Sequence, residues 1–244
     1  MTPLQRARLE KAAADSGFEL TPELQGGQLV LRSAQFPEAV TVEPLVDPTF
    51  ALTIDSTSVI AGTGLPDRRF QVDGYDALYT ALERAAATAR TLPNRVSERF
   101  RQTVASMPKS TEAERIVIQR VGQQLFRDAL LDYWQGRCCV TGLAVPDLLR
   151  ASHIKPWAMC DDDNERLDVY NGLLLAPQLD AIFDGGWATF EPTGELRIAD
   201  GMERDSLDAL GIRLPMKVTG LIDRHQRYLD FHRRHVYRTD LAAR

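Results

Sequence analysis

The sequence predicts an α+β fold in two parts: a small N-terminal domain of mixed α and β structure with an antiparallel sheet, then a long connecting helix leading into a C-terminal ββα unit. Three observations predict it. Short runs of β-branched or alternating apolar residues lie between turn formers in the first quarter of the chain. A capping box opens a long amphipathic stretch at Thr111. After Gly136, two apolar runs enclose a polar loop and are followed by a short helical segment.

Taken in order, Thr2-Pro3 starts a helix that runs unbroken to about Ala14, because proline suits the first helical position. Beyond the Gly26-Gly27 break, QLVLRS, AVTVEP and TFALTIDS read as three strands of a small antiparallel sheet. Leu78, Leu82 and Ala85-Ala86 return to the helical period from Tyr75 to about Ala89, and Leu92-Pro93-Asn94 stops that helix. This places a first domain at residues 1–92. Residues 93–110, polar with scattered arginines and ending in MPKS, read as a linker with some helical content. Thr111 and Glu114 then cap a helix whose apolar stripe is Ile116, Val117, Val121, Leu125, Leu130, Leu131 and Trp134, with Gly136 as its left-handed stop. The remainder, 111–244, forms the second domain, with a ββα core at about 138–190.

Composition narrows the function. With 44% apolar and 26% charged residues among 244, the chain has globular usage and enough length for one or two cores. No apolar run reaches a membrane span and the first residues show no apolar signal core, so a cytoplasmic protein without membrane partners is expected. Three cysteines, two of them adjacent, fit neither a disulfide framework nor a CxxC zinc ribbon. A net charge of -5 excludes bulk electrostatic coating of nucleic acid, so any such contact needs a local basic patch. The acidic residues Glu19, Glu23, Glu38, Glu43 and Asp47 make the first domain a poor candidate for broad phosphate binding.

The chemistry-bearing residues lie in one stretch. Cys138-x-x-Thr141-Gly142, Ala151-Ser152-His153-Ile154-x-Pro156-Trp157, Glu165-Arg166-Leu167-Asp168, Asn171-Gly172 and Asp180-x-x-Phe183-Asp184 follow one another in that order. In this order they resemble the HNH endonuclease family, and the likeness extends from about Thr111 to the YLDFHRRHVY tail. The resemblance implies a ββα-metal fold and hydrolysis of DNA phosphodiester bonds. Such hydrolysis needs a deprotonated nucleophile and charge stabilisation at the phosphate. His153, the one histidine before His225, suits the base, since neutral imidazole can take a proton from water. Asn171 corresponds to the middle letter and is expected to orient the histidine or to fix the loop; Asn-Gly is also a hairpin turn signal.

The third letter departs from the family pattern. Asp180 stands where a second histidine is expected, and with Asp184 at i+4 it puts two carboxylates on one face of a helix turn. Oxygen ligands favour magnesium, or manganese, over zinc. Ser152, just before the histidine, is a poor ligand when neutral. A zinc-stabilised variant built on Cys138, Cys139 and Cys160 lacks an evident fourth ligand. Lys155, Arg166 and Arg150 are candidate phosphate contacts, with an ion pair to Glu165 or Asp168 as the alternative for Arg166. His225, His232, Arg233, Arg234, His235 and Arg238 would spread a basic face along a terminal helix, or else one solvated side of a packed helix.

A single ββα unit offers one site per chain, so a monomer is expected to nick DNA and a homodimer, or two successive events, to break both strands. In a restriction or defence nuclease the first domain would read a modified base or a sequence; recognition of a protein or small-molecule signal is the other reading. Two further alternatives are a DNA-binding or interaction module that kept the scaffold but lost efficient catalysis, and an RNA-directed nuclease.

Overall fold

The computed structural model describes residues 1–46 and 48–239; Asp47 and the last five residues lie outside the described residues. The chain divides into two compact units, Met1–Leu92 and Pro93–Arg244.

The first unit opens with α1 (Pro3–Asp15), whose N-terminus Thr2 and Gln5 cap reciprocally at 3.2 and 2.9 Å. Five strands follow: β1 (Glu23–Gln25), β2 (Gln28–Leu31), β3 (Val40–Pro44), β4 (Thr49–Ile54) and, after the short α2 (Thr57–Thr63), β5 (Arg69–Asp73). All neighbours pair antiparallel in the order β1-β2-β3-β4-β5. Gly26 and Gly27, at φ +58° and +87°, form the two-residue turn joining β1 to β2, a backbone that side chains disfavour. Leu29, Leu31, Val40, Val42, Leu52 and Ile54 line the buried face and share a core with α1 and α3 (Tyr75–Arg90). The three strands read from sequence are β2, β3 and β4. β1 and β5 escape that reading because β1 is fully exposed and β5 has only Phe70 buried.

The second unit begins with α4 (Pro93–Val104), which corrects the reading of residues 93–110 as a linker. Val96, Phe100 and Val104, each four residues apart, are buried in this unit's core, so three apolar residues at helical spacing suffice to seat an otherwise polar helix. They pack with α5 (Glu112–Tyr133), capped by the Thr111/Glu114 box. Gly136, at φ +64°, returns its N–H to the Leu131 carbonyl at 2.7 Å and ends the helix. Gly122 is the contact point on α5: a β-carbon there would lie 2.8 Å from the Trp157 ring and 3.3 Å from Phe100.

Next come β6 (Arg150–His153), the four-residue α6 (Asp163–Arg166), β7 (Gly172–Leu175) and α7 (Pro177–Asp184), in the order of a ββα unit. β6 and β7 pair antiparallel, with His153 opposite Gly172 and Ser152 opposite Leu173. β7 is buried along its whole length because α5 covers one face of the hairpin and other core side chains the other. A second hairpin, β8 (Ala188–Phe190) with β9 (Leu196–Ile198), then α8 (Arg204–Ala209) and α9 (Asp223–His235) complete the unit. Among the described residues no helix is long and apolar enough to cross a membrane. The chain is thus a mixed α and β protein with an antiparallel sheet, as the sequence predicts.

Candidate active site

His153 closes β6, and its ring lies flat on Phe126 of α5, centroids 3.8 Å apart and planes 17° apart. Trp157 meets it edge-on at 5.4 Å. Its Nε2 is 2.9 Å from the Arg166 carbonyl oxygen, which can only accept, so Nε2 carries the proton and Nδ1 is left as a lone-pair acceptor. Nδ1 has no hydrogen-bond partner among the described residues. Burial pushes the imidazole pKa down to about 4, with the Arg166 carbonyl pulling weakly the other way, so the ring is neutral at pH 7.

Why the sequence stacks the ring there follows from Gly172. A β-carbon at that position would lie 2.6 Å from Phe126 Cζ and 2.7 Å from Leu130 Cδ1, so only glycine lets α5 come down on this end of the hairpin. Gly172 has φ -143°, ordinary strand backbone, and Asn171-Gly172 is therefore not the hairpin turn that the dipeptide signals. Phe126 went unrecognised in the sequence, where it is one apolar residue among many on α5.

Asn171 is fully buried, and the hydrogen bonds of its side chain go to residues other than His153. Its Oδ1 accepts the Lys155 N–H at 2.7 Å, and its Nδ2 donates to the carbonyls of Lys155 and Glu165, each at 3.2 Å. These bonds tie the Asn171 side chain to the two ends of the 155–165 loop.

Two of the three candidate phosphate contacts are occupied by the protein itself. Lys155 is 8% exposed and pairs with Glu165 at 2.7 Å and Asp161 at 3.2 Å, and the Glu165 carboxylate holds its ammonium pKa up. Arg166 donates to the carbonyls of Trp157 (3.3 Å) and Cys160 (2.9 Å) and pairs with Asp163 (3.0 Å), not with Glu165 or Asp168. Both side chains brace the loop because the loop's own carbonyls and carboxylates lie within their reach. Arg150 is different: it is exposed and has no ion-pair partner among the described residues.

Ser152 and His153 are consecutive on β6 and so leave opposite faces of the hairpin. On the Ser152 side stands α7 with Asp180, half-buried, whose carboxyl burial pushes above its usual pKa; nearby Asp184 adds to the rise, while the Ser152 hydroxyl and Arg150 pull against it. The Ser152 hydroxyl is itself buried and completes no well-formed hydrogen bond. Ser152, Asp180, Asp184 and Arg150 thus share one side of the ββα unit, next to the strand end that carries His153. No group of three His, Cys, Asp or Glu gathers as a metal cage among the described residues.

The three cysteines are free and buried. Cys138 Sγ accepts the N–H groups of Thr141 (3.4 Å) and Ala176 (3.3 Å), whereas Cys160 Sγ lies 3.4 Å from Asn171 Nδ2. The terminal basic face is also smaller than the sequence suggests. His225 and His232 are 0% and 1% exposed, and Arg233 donates to the Phe190 carbonyl. Aromatic neighbours draw these polar residues inward: the His232 ring stacks on Phe183 at 4.0 Å. α9 is anchored through Asp168, 4% exposed, which accepts from Tyr228 Oη and from Arg227, both at 2.8 Å.

No curated protein matches the chain. The family model described as HNH endonuclease matches residues 138–191, from Cys138 through β7 and α7 to the end of β8. This segment of the second unit is therefore similar to HNH endonucleases, in agreement with the resemblance that its residues carry.

Proposed function

We propose that the second unit is a metal-dependent endonuclease that hydrolyses DNA phosphodiester bonds, with His153 as general base. The observation that carries this reading is the anchored tautomer: Nε2–H is tied to the Arg166 carbonyl, so the unpartnered Nδ1 is the atom that takes a proton from attacking water. A pKa held near 4 keeps that atom unprotonated at working pH.

Asp180 and Asp184 fit a hard divalent cation, because burial and the neighbouring Asp184 carboxylate raise the half-buried Asp180 carboxyl and Arg150 offsets that rise only in part. The buried, unsatisfied Ser152 hydroxyl adds a neutral oxygen on the same side. Magnesium, or manganese, suits this oxygen set better than zinc, and when bound it supplies charge stabilisation on the scissile phosphate. Arg150 holds a phosphate oxygen, and Asn171, Lys155 and Arg166 act indirectly by keeping the loop and its 166 carbonyl in place. One such centre per chain nicks DNA; a second chain is needed to break both strands at once. A restriction or defence role, with residues 1–92 recognising the target, is the setting we favour.

A second reading, a nucleic-acid-binding module with little catalysis, is favoured by the neutral Ser152 beside Asp180 and by the sheltering of His153 under Phe126. Incubating the full chain with plasmid DNA, methylated and unmethylated, and with RNA, under Mg²⁺, Mn²⁺ or Zn²⁺ separates the two. Mg²⁺-dependent nicking that disappears in His153→Ala supports the nuclease. Tight binding with no cut under any of the ions supports the module.

A further inference from the structure

The turn that ends α7 carries a feature on the Asp184 side of the unit. Gly186, two residues beyond Asp184, has φ +71°, and a β-carbon there would lie 2.2 Å from the Val236 carbonyl oxygen. Glycine at this point lets the segment after α9 close directly on the turn. The Arg238 N–H donates to the Gly186 carbonyl at 3.0 Å, and the Arg238 guanidinium carbon sits 3.9 Å from the centroid of the Trp187 indole.

Arg238 differs from Arg227 and Arg233, and from the exposed Arg234 in that an aromatic ring holds it. Arg233 is tied to the Phe190 carbonyl and Asp230, and Arg227 to Asp168. Arg238 is exposed and has no carboxylate partner among the described residues. A guanidinium held over an indole face needs none of its N–H donors for that contact, and its planar fork matches two oxygens of a phosphate. The stack also removes much of the side-chain freedom that a free arginine would lose on binding. Arg150, also exposed and without an ion pair among the described residues, lies near Asp180, so two such cations flank the Asp180–Asp184 stretch of the eight-residue α7.

We propose that Arg238, held on Trp187 beside the turn after Asp184, contacts a backbone phosphate of the bound strand next to the one that is cut. This rests on the reading of the second unit as a nuclease, and it deepens that reading by giving the strand a course along α7.

The test is anisotropy of a labelled DNA oligonucleotide with the full chain in EDTA, where no cutting interferes, titrated with salt. Arg238→Ala is expected to weaken binding about five- to tenfold and to lower the slope of log K against log salt by about one. Arg238→Lys is expected to keep the slope while losing part of the affinity. Thermal unfolding of each variant separates misfolding from lost contact, and Trp187→Phe should remove a change in tryptophan emission on binding. Wild-type affinity and slope in folded Arg238→Ala would overturn the inference and leave the nuclease reading intact. Loss of the contact in a chain that binds but never cuts would support the inference while overturning the nuclease reading. A wild-type chain that binds no DNA or RNA overturns both.

Discussion

Asn171 holds Lys155 by both main-chain polar groups, accepting its N–H at 2.7 Å and donating to its carbonyl at 3.2 Å, while the same amide reaches the Glu165 carbonyl. One buried side chain therefore closes the loop whose next residue anchors His153. Asn171→Ala leaves several buried main-chain groups unpaired, and a stability loss on the order of 2 to 3 kcal/mol is expected. Denaturant unfolding measures it. Wild-type stability combined with lost cleavage would instead assign Asn171 to the substrate.

Arg166 and Arg150 should separate cleanly. Arg166→Lys cannot reproduce donors to the carbonyls of residues 157 and 160 together with the Asp163 pair, so it is expected to lower the thermal midpoint by several degrees despite keeping the charge. Arg150→Ala should unfold at the wild-type temperature and cut roughly tenfold more slowly, as measured by plasmid nicking. Equal behaviour of the two variants would contradict the division of roles.

Gly172→Ala places a methyl group 2.6 to 2.8 Å from Phe126 and Leu130, and α5 must shift to accept it. Overpacking of this kind costs about 1 to 3 kcal/mol. Because Phe126 also supports the His153 ring, cleavage should fall further than stability. Phe126→Leu is expected to restore part of both in the Gly172→Ala background.

Stability should depend on pH through His232. Its Nε2–H donates to the Phe183 carbonyl at 3.1 Å, its Nδ1 accepts from the Thr189 hydroxyl at 3.0 Å, and burial lowers its pKa to about 4. The unfolded chain takes up this proton near pH 6.5 and the native chain only near pH 4. Stability from the neutral ring is therefore complete above pH 6.5 and is lost as pH falls from about 6.5 to about 4, by about 3 kcal/mol. His153 contributes with the same sign. His232→Gln should flatten the fall in urea midpoint between pH 7.5 and 4.5, and an unchanged slope would refute the assignment.

Much of the ββα unit is legible in the sequence because its signals are local. The Thr111/Glu114 box, the stop at Gly136 and the order of His153, Asn171 and Asp180 each rest on residues near one another. What is not legible depends on partners far along the chain. Lys155 looks like a free cation until Glu165 is found against it, and Arg166, for which an ion pair to Glu165 or Asp168 is one reading, turns instead to Asp163 and two carbonyls. His225 and His232 look like part of a basic face until the aromatic rings around them are seen. α4 looks like a linker because its core face is only three residues wide. β5 hides for a related reason, being polar on one side and short.

The three sheltered thiols make the second unit a chain with its own reporters. Cys160, whose pKa burial raises to about 11, sits against the Asn171 amide, while Cys139 donates its N–H to the Leu174 carbonyl beside the hairpin. A thiol reagent added to the native chain can react only as fast as these places come open. If Cys160 is labelled first, the 155–165 loop swings on its own hinge; if all three are labelled together, the unit opens as a single body. The rate at which colour develops then serves as a stopwatch for the motion that admits or refuses a strand.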